Sequence, residues 1–191
     1  LVPEFNFTVN IQRAIFSLWQ ENEGLGLIGG HGYAATLLHS IALLAASIVV
    51  PINYLRPLFT LTMLLIGSVG SFYLTRILLD VKEEKIRNRI SFIAGLFYML
   101  NFATVQMFYI PLEAFSVHYA LLPWLLYSLV LLFHNPQKKN FLIFTVISIL
   151  SSPQGFIPPL FLIYVLFLII FCIVILIKKR TVATAKLIGI V

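Results

Sequence analysis

The sequence predicts an all-α fold, a polytopic bundle of membrane-spanning helices. The chain has 191 residues, of which 60% are hydrophobic and only 10% are charged, and its mean hydropathy is +1.00. A soluble domain carries about 25% charged residues, and one of this length could not bury so much apolar surface. We therefore expect most of the chain to face lipid or other helices, as in a multi-pass protein of the cell membrane.

The basic residues give this bundle an orientation. All but two of the thirteen Lys and Arg residues lie near the ends of apolar runs, in three clusters. The clusters are Arg76, Lys82, Lys85, Arg87 and Arg89; Lys138 and Lys139; and Lys178, Lys179, Arg180 and Lys186. Basic residues in short loops mark the cytoplasmic side of a membrane protein. Because the clusters form no continuous stripe, the net charge of +6 predicts membrane lipid, not nucleic acid, as the partner.

About five apolar runs are candidates for membrane crossings. They are 58–79, 90–109, 115–133, 141–150 and 157–177. Four of them approach the ~20 residues that a helix needs to cross the hydrocarbon core. The run 141–150 is shorter, but an even number of crossings must separate clusters on one side. We therefore expect 141–150 to cross as well, extended by its flanking residues.

The segment 33–50 is expected to form an N-terminal helix in the external interface. His39 and Ser40 belong to a polar stripe along one face of this helix, which is typical of an interfacial helix or of one that lines a cavity. Residues 1–32 then form an external loop, and 33–191 form the transmembrane domain. We expect both ends of the chain to be cut from a longer protein.

Ionisable residues near the external ends of the crossings are the candidates for a site. An acidic group at membrane depth, such as Glu113, is costly and usually has a partner or a task; the alternative is a solvated carboxylate at the headgroups. His118 is a candidate ligand, or else a buried histidine whose polar atoms are satisfied. Arg56 begins the crossing at 58–79, where it either anchors the helix in the headgroups or binds phosphate with its bidentate fork.

The order of these features resembles the GT-C superfamily of membrane glycosyltransferases, which includes protein O-mannosyltransferases, lipid A aminoarabinose transferases and arabinofuranosyltransferases. The likeness covers about residues 4–133. Four stretches carry it: Leu18-Trp19 with the glycine-rich residues 24–32, the juxtamembrane-like helix 33–50, the helix 56–82 with Gly67-Ser68-Val69-Gly70-Ser71 in its middle, and 93–101 followed by Leu112-Glu113-Ala114.

The resemblance implies an enzyme that transfers a sugar, with inversion, from a polyprenyl-phosphate donor to an acceptor on the external face. It implies two acidic catalytic residues, since Glu113 matches the family's second acidic position and Glu4 could fill that of the general base. The substrate-binding residues that it implies are Arg56, His118, Glu23 and His31. No cofactor is expected, and the need for a divalent metal is left open.

Two other functions compete with this interpretation. A transporter or channel would carry ionisable residues in the middle of crossings and broken helices, and here only His118 and the break at 151–155 fit that description. A non-catalytic scaffold would keep the GT-C-like membrane fold and lack the catalytic base.

Overall fold

The computed structural model describes residues 6–16, 19–20, 25–28, 30–109 and 113–187. Helices form most of the described chain. The strands among the described residues form one minimal antiparallel hairpin, in which Trp19 pairs with Ile28 and Gln20 with Leu27. The all-α class predicted from composition is confirmed. In chain order the elements are α1 (Phe7–Phe16), β1 (Trp19–Gln20), β2 (Leu27–Ile28), α2 (Gly30–Ala46), α3 (Ile52–Leu78), α4 (Glu84–Leu100), α5 (Phe102–Tyr109), α6 (Glu113–His134), α7 (Lys138–Leu150), a 3-10 helix (Ser152–Phe156) and α8 (Pro158–Leu187).

Three of the described helices are long and apolar enough to cross a membrane, which indicates a membrane protein. The apolar spans are Ile52–Leu78, Ala114–His134 and Pro158–Ile177. A fourth is formed if α4 and α5, which meet at an angle of 42°, count as one broken span. With its 13 residues, α7 is ~20 Å long, which is less than the ~30 Å of the hydrocarbon core. The full count of about five crossings therefore stays a prediction.

The described residues of the predicted loop at 1–32 include a helix and a short hairpin. The helix is α1, which Asn6 caps by accepting a hydrogen bond from the Val9 amide at 3.1 Å. The guanidinium of Arg13 in α1 lies 5.9 Å from the centre of the Tyr33 ring in α2. The apolar residues Phe7, Ile11, Ala14 and Ile15 of α1 follow helical spacing, so the sequence carried a signal for this helix that the prediction of a loop missed.

The boundaries of the helix predicted at 33–50 shift. The helix expected at 33–50 begins at Gly30 and ends at Ala46, so it is too short to be one of the spans. The chain divides into two compact units, Leu1–Ile157 and Pro158–Val191. The division into an external loop at 1–32 and a transmembrane domain at 33–191 stays a prediction. Interfacial placement of α2 remains a prediction.

Two glycines in α3 let α6 pack closely against it. The Tyr119 ring covers Gly67 and the Trp124 ring covers Gly70, and the Trp124 indole donates a hydrogen bond to the Ile66 carbonyl at 2.9 Å. The earlier glycine in α3 lies against the earlier aromatic residue in α6, and the later glycine against the later one. The two helices therefore run parallel. Their C-terminal ends therefore lie at the same end of the bundle.

The helix α4 returns along α3. The Ser68 hydroxyl donates to the Gly95 carbonyl at 3.0 Å, and Arg76 at the end of α3 pairs with Glu84 at the start of α4 at 2.9 Å. Because α3 and α6 are parallel, the basic residues of the α3–α4 connection and those at 138–139 share one end of the bundle, which we call the basic end. Its location in the cytoplasm stays a prediction.

Tyr98 and Tyr119 donate hydrogen bonds to two carbonyls that lack their helical donors in α6 and α4, and we call this pair the tyrosine clasp. Pro123 has no N–H to donate to the Tyr119 carbonyl, and the Tyr98 hydroxyl donates to that carbonyl at 2.9 Å. Because α4 ends at Leu100, the Tyr98 carbonyl lacks a helical donor in turn, and the Tyr119 hydroxyl donates to it at 2.9 Å. The two rings stack with their centres 4.5 Å apart.

Candidate functional site

Buried and half-buried polar side chains lie at the end of the bundle opposite the basic end. The helices α3 and α6 begin there, and α2 packs on the 3-10 helix and on α6. Together these elements carry what we call the polar cluster: His39 and Ser40 of α2, Arg56 of α3, Ser116 and His118 of α6, and Ser151 and Gln154 at the 3-10 helix. His118 is only ~7 Å along α6 from its first residue, so the cluster lies near one end of that span.

The buried face of α2 supplies His39 and Ser40, which are only 2% and 1% exposed. The imidazole of His39 lies against the Phe59 ring of α3, with 4.5 Å between the ring centres. Arg56 precedes Phe59 by three residues, so both lie on the same face of α3, and the Nε atom of Arg56 is buried. The polar stripe predicted on this helix thus includes two residues that are fully buried.

A break between α7 and α8 supplies the other side of the cluster. Gln154 is only 3% exposed, and its side-chain amide donates to the Ser151 hydroxyl at 3.0 Å. The same side chain lies beside the His118 ring. Pro153 cannot continue the hydrogen bonding of α7 because it has no N–H. His118 therefore has a polar neighbour, as the interpretation of a buried and satisfied histidine requires.

The composition of the polar cluster favours binding of an oxyanion. Its described side chains are one guanidinium, two imidazoles, one amide and three hydroxyls, and all of them can donate hydrogen bonds. Arginine in particular matches phosphate oxygens with a two-pronged donor geometry. The described side chains of the cluster include no carboxylate, so a general base would have to come from a neighbouring acidic residue.

The predicted site residues fall into two groups. Arg56 and His118 lie at the same end of the bundle and belong to the polar cluster. Glu113 is the first residue of α6, and His31 lies in α2, but both side chains lie outside the described part of the structure. Glu4 and Glu23 lie outside the described residues altogether. Among the side chains that the structure describes, no three His, Cys, Asp or Glu side chains come together as a metal site.

Five members of the polar cluster were missing from the sequence-based site: His39, Ser40, Ser116, Ser151 and Gln154. His39 was recognised as part of a polar stripe, and its position inside an apolar run was the signal for burial. The residues 151–155 were recognised only as a break. A polar break between two apolar runs must be shielded from lipid, so the sequence could have predicted that residues 151–155 are buried. Comparison of the chain with protein-family models, curated proteins and solved structures found no match.

Proposed function

We propose that this chain is the membrane part of a multi-pass, GT-C-like glycosyltransferase that uses a polyprenyl-phosphate-linked sugar on the external face of the cell membrane. The observation that supports this proposal is the polar cluster, which collects cationic and hydrogen-bond-donating side chains at the membrane end away from the basic end. A lipid phosphate is an anion that arrives at this depth, with its polyprenyl chain in the hydrocarbon. Arg56 is the group that we assign to the phosphate.

The proposed reaction is a direct displacement at the anomeric carbon. The acceptor hydroxyl oxygen attacks this carbon while a carboxylate, Glu113 or Glu4, takes the hydroxyl proton. The bond between the anomeric carbon and the phosphate oxygen breaks, and polyprenyl phosphate leaves with the electron pair. Arg56 stabilises the negative charge that develops on the leaving phosphate.

We further propose that α7 and the 3-10 helix together make the fifth crossing. From His118 to His134, α6 rises ~24 Å. The chain turns at 135–137 and comes back as α7 and the 3-10 helix until Gln154 lies beside His118. The returning segment therefore covers the same ~24 Å, which is most of the ~30 Å hydrocarbon core.

The proposal is tested by sugar transfer in membranes that contain the protein. The donors are radiolabelled polyprenyl-phosphate-mannose, -arabinofuranose and -aminoarabinose, offered to an extract of cell-envelope acceptors. We expect Glu113→Gln to abolish transfer while membrane insertion is unchanged, and Arg56→Gln to raise the KM for the donor. Glu84→Gln, at the basic end, is the matched control and should transfer normally. Undiminished turnover by Glu113→Gln would remove Glu113 from the site.

The broken helices favour a second candidate, a transporter. Discontinuous helices next to ionisable residues are typical of transport sites. Here the break at Gln154 lies beside His118, and the α4–α5 bend is a second discontinuity. Uptake of radiolabelled solutes into proteoliposomes separates the candidates. A transporter accumulates the solute inside the vesicles, whereas a transferase does not move it across the membrane. If neither transfer nor uptake occurs, the scaffold interpretation is favoured.

A further inference from the structure

Three aromatic residues, which we call the aromatic patch, lie together where α3 and α6 meet, and the proposed transferase does not use them. The centre of the Tyr73 ring of α3 lies 5.6 Å from that of Trp124 and 6.1 Å from that of Tyr127 in α6. The Trp124 and Tyr127 ring centres are also 6.1 Å apart. Tyr73 is 39% exposed, and the other two residues are half-buried. The aromatic patch is therefore open to the surroundings of the bundle.

The aromatic patch lies near the middle of the membrane-spanning part of α6. Trp124 is the central residue of the span Ala114–His134, so each end of the span is ~15 Å away along the helix. This is half of the ~30 Å hydrocarbon core. Side chains in a helix lean towards its N-terminus, and the Tyr73 and Tyr127 rings accordingly reach back to the level of Trp124. Their hydroxyls are therefore far from both headgroup layers.

These two hydroxyls lack an acceptor within the described part of the chain. Neither the Tyr73 nor the Tyr127 hydroxyl makes a hydrogen bond there, whereas the Trp124 N–H donates to the Ile66 carbonyl at 2.9 Å. An unsatisfied polar group in hydrocarbon costs free energy, and no water is present at this depth to satisfy it. The ester carbonyls of phospholipids lie in the interfacial regions outside the core. The acceptor must therefore come from a molecule that carries an oxygen to the middle of the membrane.

The large rings of the aromatic patch favour a flat ligand over a second helix. Membrane helices approach one another closely through small residues, and three large rings hold a neighbouring backbone away. A planar ring, by contrast, stacks on aromatic side chains, and carbonyl oxygens accept hydrogen bonds from phenol hydroxyls. An isoprenoid quinone has a planar ring with two carbonyl oxygens, and its isoprenoid chain keeps that ring in the hydrocarbon.

We propose that the aromatic patch binds an isoprenoid quinone. The quinone ring stacks on the patch, and its carbonyl oxygens accept hydrogen bonds from the Tyr73 and Tyr127 hydroxyls. The proposal concerns binding alone, with no transfer of electrons or groups. The site shares no residue with the polar cluster, so it stands whether or not the chain transfers sugars.

The test is a titration of the purified full chain in mixed micelles with ubiquinone-2, followed by tryptophan fluorescence, because quinones quench indole emission. The chain has two tryptophans, and Trp19→Phe leaves Trp124 as the single reporter, whose quenching should be saturable. In this background Tyr73→Phe and Tyr127→Phe keep the rings; each should weaken binding about threefold, and both together about eightfold. Tyr54→Phe removes the hydroxyl of an exposed tyrosine outside the patch and is the matched control, with unchanged affinity.

Three results would overturn this proposal. Quenching that rises linearly without saturation would show only that the quinone dissolves in the micelle. Unchanged affinity in the double variant of Tyr73 and Tyr127 would show that the hydroxyls do not hold the ligand. The third result is a dimer, detected by analytical ultracentrifugation, that the double variant converts to a monomer, because a second copy of the chain would then supply the acceptors.

Discussion

The tyrosine clasp predicts that two chemically identical substitutions have unequal effects. Tyr98→Phe removes the hydroxyl that serves the Tyr119 carbonyl, and Pro123 leaves that carbonyl without its helical donor. Tyr119→Phe removes the hydroxyl that serves the Tyr98 carbonyl. Both changes keep the ring and its stacking. Tyr119→Phe also removes a contact of the hydroxyl with the Thr104 side chain, but Thr104 keeps its hydrogen bonds with the Asn101 amide and the Tyr98 carbonyl.

The size of each effect on the free energy of unfolding depends on the hydrogen-bond donors that each carbonyl keeps after the substitution. After Tyr119→Phe, the Tyr98 carbonyl still accepts from the Asn101 side chain at 2.9 Å and from the Thr104 hydroxyl at 2.8 Å. The free energy of unfolding should therefore fall by ~0.5 kcal/mol, near the mean contribution of a hydrogen bond between membrane helices. After Tyr98→Phe, the Tyr119 carbonyl is left without its side-chain donor, and the cost should be ~1–2 kcal/mol.

A third substitution tests the cause of this asymmetry. Pro123→Ala restores an N–H that can donate to the Tyr119 carbonyl, so Tyr98→Phe should cost less than ~0.5 kcal/mol in that background. The assay is reversible unfolding in mixed micelles followed by tryptophan fluorescence, with the four proteins of the cycle compared. Equal costs for the two tyrosine variants, or additive costs for Tyr98→Phe and Pro123→Ala, would refute the assignment of Tyr98 as the replacement donor.

Two further predictions concern the contact between α3 and α6. In Gly67→Ala the added methyl group would lie 2.5 Å from the Tyr119 ring, so the free energy of unfolding should fall by ~1–3 kcal/mol. The control is Gly155→Ala, where nothing lies within 4 Å of the added methyl group, and its free energy of unfolding should be nearly unchanged. A larger loss in Gly155→Ala than in Gly67→Ala would contradict the packing. Trp124→Phe removes the bond to the Ile66 carbonyl, which keeps its helical donor, and it also removes the part of the ring that covers Gly70. The free energy of unfolding should therefore fall by ~1–3 kcal/mol, mostly through lost packing.

Composition and charge pattern predicted the class of fold because a 30 Å hydrocarbon layer restricts the chain to apolar helices. The grouping of Arg76–Arg89 with Lys138 and Lys139 at one end was also predictable, since it needs only the parity of crossings. The α4–α5 bend at Asn101 was not predictable from hydropathy. It depends on donors from Thr104 and Tyr119, and such tertiary partners leave no periodic signal in the sequence.

The candidate site was predictable in part for similar reasons. Arg56 and His118 were recognised because ionisable groups in or beside apolar runs are rare. Gln154 was not, because an uncharged amide in a turn reads as solvent-exposed until packing places it beside His118. The glycines at 67 and 70 read only as a small-residue stretch, since nothing in the sequence says which aromatic rings would cover them.

The proposed function requires that the basic end and the polar cluster lie on opposite sides of the membrane, and site-directed labelling tests this arrangement. In a background in which the single cysteine of the chain is replaced, Cys172→Ser, one new cysteine is introduced at a time at two exposed positions, Asn53→Cys beside the polar cluster and Gln137→Cys at the basic end. A membrane-impermeant maleimide added to intact cells should label Asn53→Cys, and it should label Gln137→Cys only after the cells are opened. Labelling of both positions, or of Gln137→Cys alone, in intact cells would contradict the account.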